Sequence, residues 1–222
     1  MIPSELLGRA LTPDGSDMTL MRRGNEYIIL ADGKALMSSR MHGSEEALAT
    51  LGCDRARRME EPTVLVGGLG MGFSLRAALD LLPAGAMVVV AELLPAIVEW
   101  NRGVLGALAA HPLRDRRVRV EFGDVAVTLR EGKGRFDAVL LDVDNGPSAF
   151  AQQTNGALYG DAGVAVARAA LRAEGVYAVW SARDDVKFQH RMRYNGFQVE
   201  SHRVRGRLKR GGPVHTIFVG QL

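Results

Sequence analysis

The sequence predicts an α/β fold: a largely parallel sheet of seven strands flanked by helices, with an antiparallel hairpin at one edge and a small β-rich appendage in front. Three observations carry that expectation. From Thr63 onward, short apolar and β-branched runs alternate with longer helical stretches, as strands and crossover helices do in a parallel sheet. The first of these strands runs into a glycine-rich turn, "VLVGGLGMG" at Val64–Gly72. The chain closes on "FQVESHRVRGRLKRGGPVHTIFVG", two extended runs around a Gly-Gly-Pro loop, which reads as an antiparallel edge.

In chain order, "MTLMRRGNEYIILADGKALMSSR" holds two β-rich runs with Asp-Gly between them, a strong hairpin signal. "GSEEALATLGC" reads as a helix with Ser44 at its N-cap and acids in its first turn. Residues 1–60 are expected to form this appendage and helix, and 61–222 the main domain. Within the latter, strands are expected at 64–66, 87–91, 118–121, 138–141 and 176–180. Helices are expected at 73–82, 95–109, 126–130, 160–171 and 184–195.

Composition limits the classes. At 222 residues and 47% hydrophobic, the chain is long enough for one domain with a full core and a small extension. No apolar run is long enough to span a membrane, and the first residues lack the basic-then-apolar pattern of a signal peptide. Cys53 is the only cysteine, which excludes an internal disulfide and makes a cytoplasmic location the default. The histidines show no metal-ligand spacing, and neither a Walker loop nor Gly-x-Ser-x-Gly occurs. Net charge is only +3, yet Lys187–Arg210 holds eight basic residues against one acid. That basic stretch is a solvated surface or a contact for phosphates or an acidic partner. The absence of interleaved aromatics argues against single-stranded nucleic acid.

The candidate site residues follow from the strand ends. Gly68, Gly70 and Gly72 let backbone approach a ligand where a side chain would collide. Glu92 ends the second strand, where an acid can bind both hydroxyls of a ribose, or simply close the strand at the surface. Asp124 follows the third strand, as an adenine-side group, a helix N-cap, or both. The fourth strand ends in "LLDVDNGP". Asp142 and Asp144 there can orient an amine or take its proton, or form an Asx-turn. Tyr159 and Trp180 are substrate-pocket aromatics or core packing, and Ser181 and Asp184 beside Trp180 are candidates for the same acceptor pocket. His42 is a general base at the junction of appendage and helix, or a surface histidine.

These landmarks resemble class I S-adenosylmethionine-dependent transferases over residues 63–222, which implies a Rossmann-like seven-stranded methyltransferase fold. A narrower resemblance is to the spermidine synthase family of aminopropyltransferases. It is carried by "VLVGGLGMGFSLRAAL", "VVVAELLPAIVEWNR", "DRRVRVEFGD" and "FDAVLLDVDNGP". It implies S-adenosylmethionine or its decarboxylated form as donor, with Glu92 on the ribose, Asp124 by the adenine and Asp142 at the attacking amine. It also implies a homodimer and no metal. Three features depart from the family. Met71 stands where an Asp holds the donor's amino group. Ser44 and Glu45 stand in place of a Tyr-His pair. The "DSSDPxGP"-like loop is shortened to "DVDNGP". The departures fall on the substrate side, so the resemblance implies retained adenosyl-donor binding with a changed or lost polyamine reaction. The alternatives are methyl transfer to a small molecule or RNA, and a non-catalytic nucleoside-binding homologue.

Overall fold

The computed structural model describes residues 3–13, 15–143, 146–147, 156–207 and 211–222. Four strands open the chain: β1 (Ser4–Leu11), β2 (Asp17–Arg23), β3 (Glu26–Ala31) and β4 (Lys34–Ser38). They pair antiparallel in the order β1-β2-β3-β4. The expected hairpin at Asp32-Gly33 is present, with both residues at positive φ, as a two-residue turn with right-handed strand twist requires. The appendage is larger than one hairpin, however. Gly24-Asn25 makes a second two-residue turn that splits the first β-rich run, because Arg23 pairs with Glu26. Strand β1, bulged between Leu6 and Gly8, is mostly solvent-facing, so it lacks the apolar alternation that marks a strand.

Helix α1 (Gly43–Gly52) follows. Its N-cap is His42 rather than Ser44. The Ser44 hydroxyl donates instead to Glu45 Oε2 at 2.7 Å. The main sheet comprises β5 (Thr63–Gly67), β6 (Met87–Glu92), β7 (Val118–Phe122), β8 (Phe136–Leu141), β9 (Leu171–Ser181), β10 (Gln198–Arg205) and β11 (Val214–Gln221). Their order is β10-β11-β9-β8-β5-β6-β7. β5 to β9 are parallel, and β11 runs antiparallel between β9 and β10. The expected seven-stranded α/β fold with an antiparallel edge is the one observed.

Alternate strand residues feed two cores. Val64, Val66, Val88, Val90, Ala138 and Leu140 face α1, α2 (Phe73–Leu81), α3 (Pro95–Arg102) and the appendage. Leu65, Val89, Val139, Leu141, Tyr177 and Val179 face α4 (Val125–Glu131), the short α5 (Gly156–Tyr159), α6 (Asp161–Ala170) and α7 (Val186–Tyr194). The helix expected over 95–109 stops at Arg102, followed by Gly103 and a separate 3-10 turn at Gly106–Ala109. A Cβ at Gly106 would lie 2.6 Å from the Asn101 carbonyl oxygen, which fixes this as a close chain crossing. No described helix is long and apolar enough to cross a membrane.

Candidate active site

Strand order reverses between β5 and β8: the chain winds outward through β6 and β7, then returns to the other side of β5. In open α/β sheets the crevice at such a reversal, outside the strands' carboxyl ends, is where ligands bind. Continuing the observed registers by one residue past each strand pair sets Glu92, Gly68, Asp142 and Trp180 in one row. All four fall on the face that carries α1 to α3. A cavity of about 540 Å³ lies along this row, within the roughly 300–1,000 Å³ of small-molecule sites. The appendage roofs it with Met18, Ile29, Leu36 and Met37.

At the β5–β6 end, the glycine turn takes positive φ at Gly68 (+87°), Gly70 (+51°) and Gly72 (+85°). Gly68 and Gly70 line the cavity. Gly72 does not. It sits at the N-cap of α2, where a Cβ would lie 2.9 Å from Asn101 Oδ1 and 3.1 Å from Pro112, so its role there is to let the turn close against α3. Asn101 holds the turn from below, donating from Nδ2 to the Gly70 carbonyl at 2.8 Å. Glu92 is 7% exposed. Its two oxygens accept the Leu69 amide (2.8 Å) and the Leu94 amide (2.9 Å). Two amides orient the carboxylate, an acceptor-only group whose chemistry suits vicinal hydroxyls. Asp124 caps α4, accepting the Ala126 amide at 2.8 Å, and also lines the cavity.

At the β8–β9 end, the Asp142 amide donates to the Gly67 carbonyl at 2.8 Å. Its carboxylate accepts the Ser74 hydroxyl at 2.5 Å. Burial pushes the Asp142 carboxyl up to about 6, against the stabilising Ser74 bond. Opposite it, α1 contributes Glu45, whose carboxyl is pushed up to about 7 by burial first and by the charge of Asp142 second. The Trp180 ring lies against His215, centroids 4.7 Å apart, and both line the cavity. The cavity wall carries four carboxylates (Glu45, Glu92, Asp124 and Asp142) and, among the described residues, no lysine or arginine.

Four expected positions fall elsewhere. Tyr159 is buried in the opposite core, donating to the Val143 carbonyl at 3.1 Å and meeting Phe188 edge-on. His42 stacks on Phe73 at 4.2 Å and pairs through Nδ1 with Glu46 at 2.7 Å. Neither lines the cavity. Ser181 and Asp184 are likewise outside its lining, and the Ser181 hydroxyl closes a local turn onto the Arg183 carbonyl. Asp144 lies outside the described residues. Ser74 is not among the expected site residues, and Glu45 enters the expectation only through the resemblance, as a substrate-side departure. An acid in the first turn of a helix reads as a dipole partner, and nothing local shows which strand end that turn will cover.

No family model matches the sequence, and no curated protein matches it. Solved structures do. A spermidine synthase in complex with the transition-state analogue AdoDATO superposes with a TM-score of 0.75, covering 97% of this chain and 72% of that one at 15% identity. The spermidine synthase from Thermotoga maritima gives the same values. The chain has the spermidine synthase fold. At that identity the likeness concerns architecture: a strand-rich N-terminal part over a seven-stranded, mostly parallel sheet.

Proposed function

We propose that the protein transfers an alkyl group from an S-adenosylmethionine-type sulfonium donor, preferably the decarboxylated form, to a small amine. The observation that carries this reading is the cavity's charge. Four carboxylates and no described lysine or arginine suit cationic ligands and leave a ligand carboxylate without a partner. Glu92 would hold the donor's ribose hydroxyls, with Asp124 beside the base and the Gly68–Gly70 backbone against the donor's chain. When bound, such a donor supplies an electrophilic carbon and leaves as a neutral thioether. What remains for the protein is to align a nucleophile and remove its proton. Asp142 stands at the centre of the row, and a carboxyl titrating near 6 accepts a proton efficiently close to neutral pH.

Methyl transfer from the carboxylated donor is the second reading. Met71 favours it, because the side chain aligned with the family's amine-holding Asp is a thioether buried in the core.

Calorimetric titration with S-adenosylmethionine, its decarboxylated form and 5′-methylthioadenosine tests both readings. Tighter binding of the decarboxylated donor, lost in Glu92→Ala, is the expected result. Preference for the carboxylated form points to methyl transfer. Binding of none removes the adenosyl-donor reading altogether.

A further inference from the structure

Resting on that reading, the acceptor end of the cavity holds a residue that none of the nucleoside-side landmarks explains. Glu45 is 7% exposed, yet it belongs to the first turn of α1, where an acid normally faces solvent. Here the helix packs against β8, β9, β10 and β11, and Glu45 lines the cavity wall that also carries Asp142. Each carboxylate is held by its own hydroxyl: Ser44 donates to Glu45 and Ser74 to Asp142. No described cation lines the wall to neutralise them. Arg76, from α2, is engaged by Asp80 at 2.6 Å. His202, from β10, meets Glu200 at 3.2 Å. His215, from β11, is held toward its neutral form by desolvation. Among the described residues, the charges that reach Glu45 are those of Asp142 and, more weakly, Glu46. Two buried carboxylates lacking a counter-ion are costly unless a proton or a cationic ligand joins them.

We propose that Glu45 is a second amine-holding carboxylate of the acceptor pocket, paired with Asp142, and that the two select an aliphatic amine entering as its ammonium ion. The apolar stem of such an amine has Met37, Met41 and Leu36 of the same cavity to lie against. Glu45 is a binding and positioning residue. Asp142 first takes a proton from the ammonium, which frees the nitrogen lone pair; the N–C bond then forms as the S–C bond breaks with its electrons left on sulfur, the product leaves as its secondary ammonium, and Asp142 releases its proton to solvent.

Like charges sharing a site titrate in two steps that belong to the pair. Deprotonating the second carboxyl doubles the negative charge facing the ammonium, so amine affinity rises with pH through both steps. With 1,4-diaminobutane and saturating decarboxylated donor, the KM for the amine is expected to fall in two steps between pH 5 and 8. In Glu45→Gln only one step remains, and the KM at pH 8 rises at least tenfold with a smaller change in kcat. Carbon-13 NMR of the protein with labelled glutamate carboxyls gives a readout independent of turnover. One glutamate should titrate near neutral pH and vanish from the spectrum of Glu45→Gln. A Glu45 signal that titrates in the ordinary carboxylate range, or an amine KM unchanged by Glu45→Gln, overturns the pairing. Failure to bind any adenosyl donor, with the neutral-range glutamate still present, counts against the transferase reading and leaves the pair standing.

Discussion

Gly68 and Asp142 stand back to back at the carboxyl ends of β5 and β8, so close that a Cβ on Gly68 would lie 2.4 Å from the Asp142 carbonyl oxygen. The glycine turn and the candidate proton acceptor are thus one construction. The backbone of the proposed donor-binding turn packs directly against the backbone that carries the Asp142 side chain. This contact explains why a turn that needs φ of +87° also needs the absence of a side chain.

Gly68→Ala should therefore disturb both halves of the site. A methyl at 2.4 Å from a main-chain oxygen cannot be relieved by a rotamer change, and the left-handed backbone adds strain. Together they cost of order 3 kcal/mol. Urea denaturation should show this loss, and calorimetry on the folded fraction should show donor affinity reduced as well. A fully stable Gly68→Ala protein would contradict the observed packing of β5 against β8.

Glu92 makes a prediction about binding, checked beside the stability of the variant. Its carboxylate ties down the Leu69 and Leu94 amides, and charged hydrogen bonds to ligand hydroxyls contribute about 1.5–3 kcal/mol each. Glu92→Gln keeps an acceptor for an amide but weakens the hydroxyl contacts, so 5′-methylthioadenosine affinity should drop about 10- to 100-fold. Comparison with 5′-methylthio-2′,3′-dideoxyadenosine is the check. The wild type should discriminate against it, and Glu92→Gln should do so far less.

The carboxyls of Glu45 and Asp142 make a prediction about stability. Both are raised in the folded protein, to about 7 and about 6, well above the ordinary carboxylate range. A raised carboxyl favours the protonated folded state, so its contribution is fully present below about pH 4 and is lost as pH climbs through 6 to 7. Removing the titration at Glu45 is worth up to about 3 kcal/mol at high pH. Glu45→Gln should melt higher than the wild type at pH 8 and no higher at pH 4. Thermal unfolding at the two pH values decides this, and equal differences at both would show that the carboxyl is not buried against Asp142.

The strand ends were legible because each stage left a local signature. Val64–Gly67 is apolar throughout and ends in glycine, and Glu92, Asp124 and Asp142 each follow a β-rich run. What could not be read was which elements fold over the strand ends. Glu45 enters the site only because α1 packs against β8, β9 and β11, contacts that span from about 90 to about 170 residues of sequence. Tyr159 and His42 failed in the opposite sense. Each has the right neighbourhood in the chain, but the local hydrogen bond to Val143 or Glu46 turns it away. The split of the appendage at Gly24-Asn25 was missed because the flanking runs, "MTLMRR" and "EYIILA", are both strand-like and mask a two-residue turn between them.

Met71 sharpens the difference between alignment and structure. By sequence, Met71→Asp restores an acid that the spermidine synthase resemblance implies at this position, and would be expected to improve binding of a donor ammonium. In the fold, Met71 is 1% exposed and belongs to the core shared by α1 to α3, outside the cavity lining. An aspartate there must bury an unpaired charge or reverse the turn between Gly70 and Gly72. Uncompensated burial of such a group costs several kcal/mol. Met71→Asp should therefore lower the unfolding midpoint sharply without tightening the decarboxylated donor, whereas Met71→Leu, which keeps the volume, should cost under about 1.5 kcal/mol and leave donor binding within twofold. Tighter donor binding by a stably folded Met71→Asp protein would mean that the side chain at this position faces the ligand, and that the turn adopts a different arrangement when the donor is present.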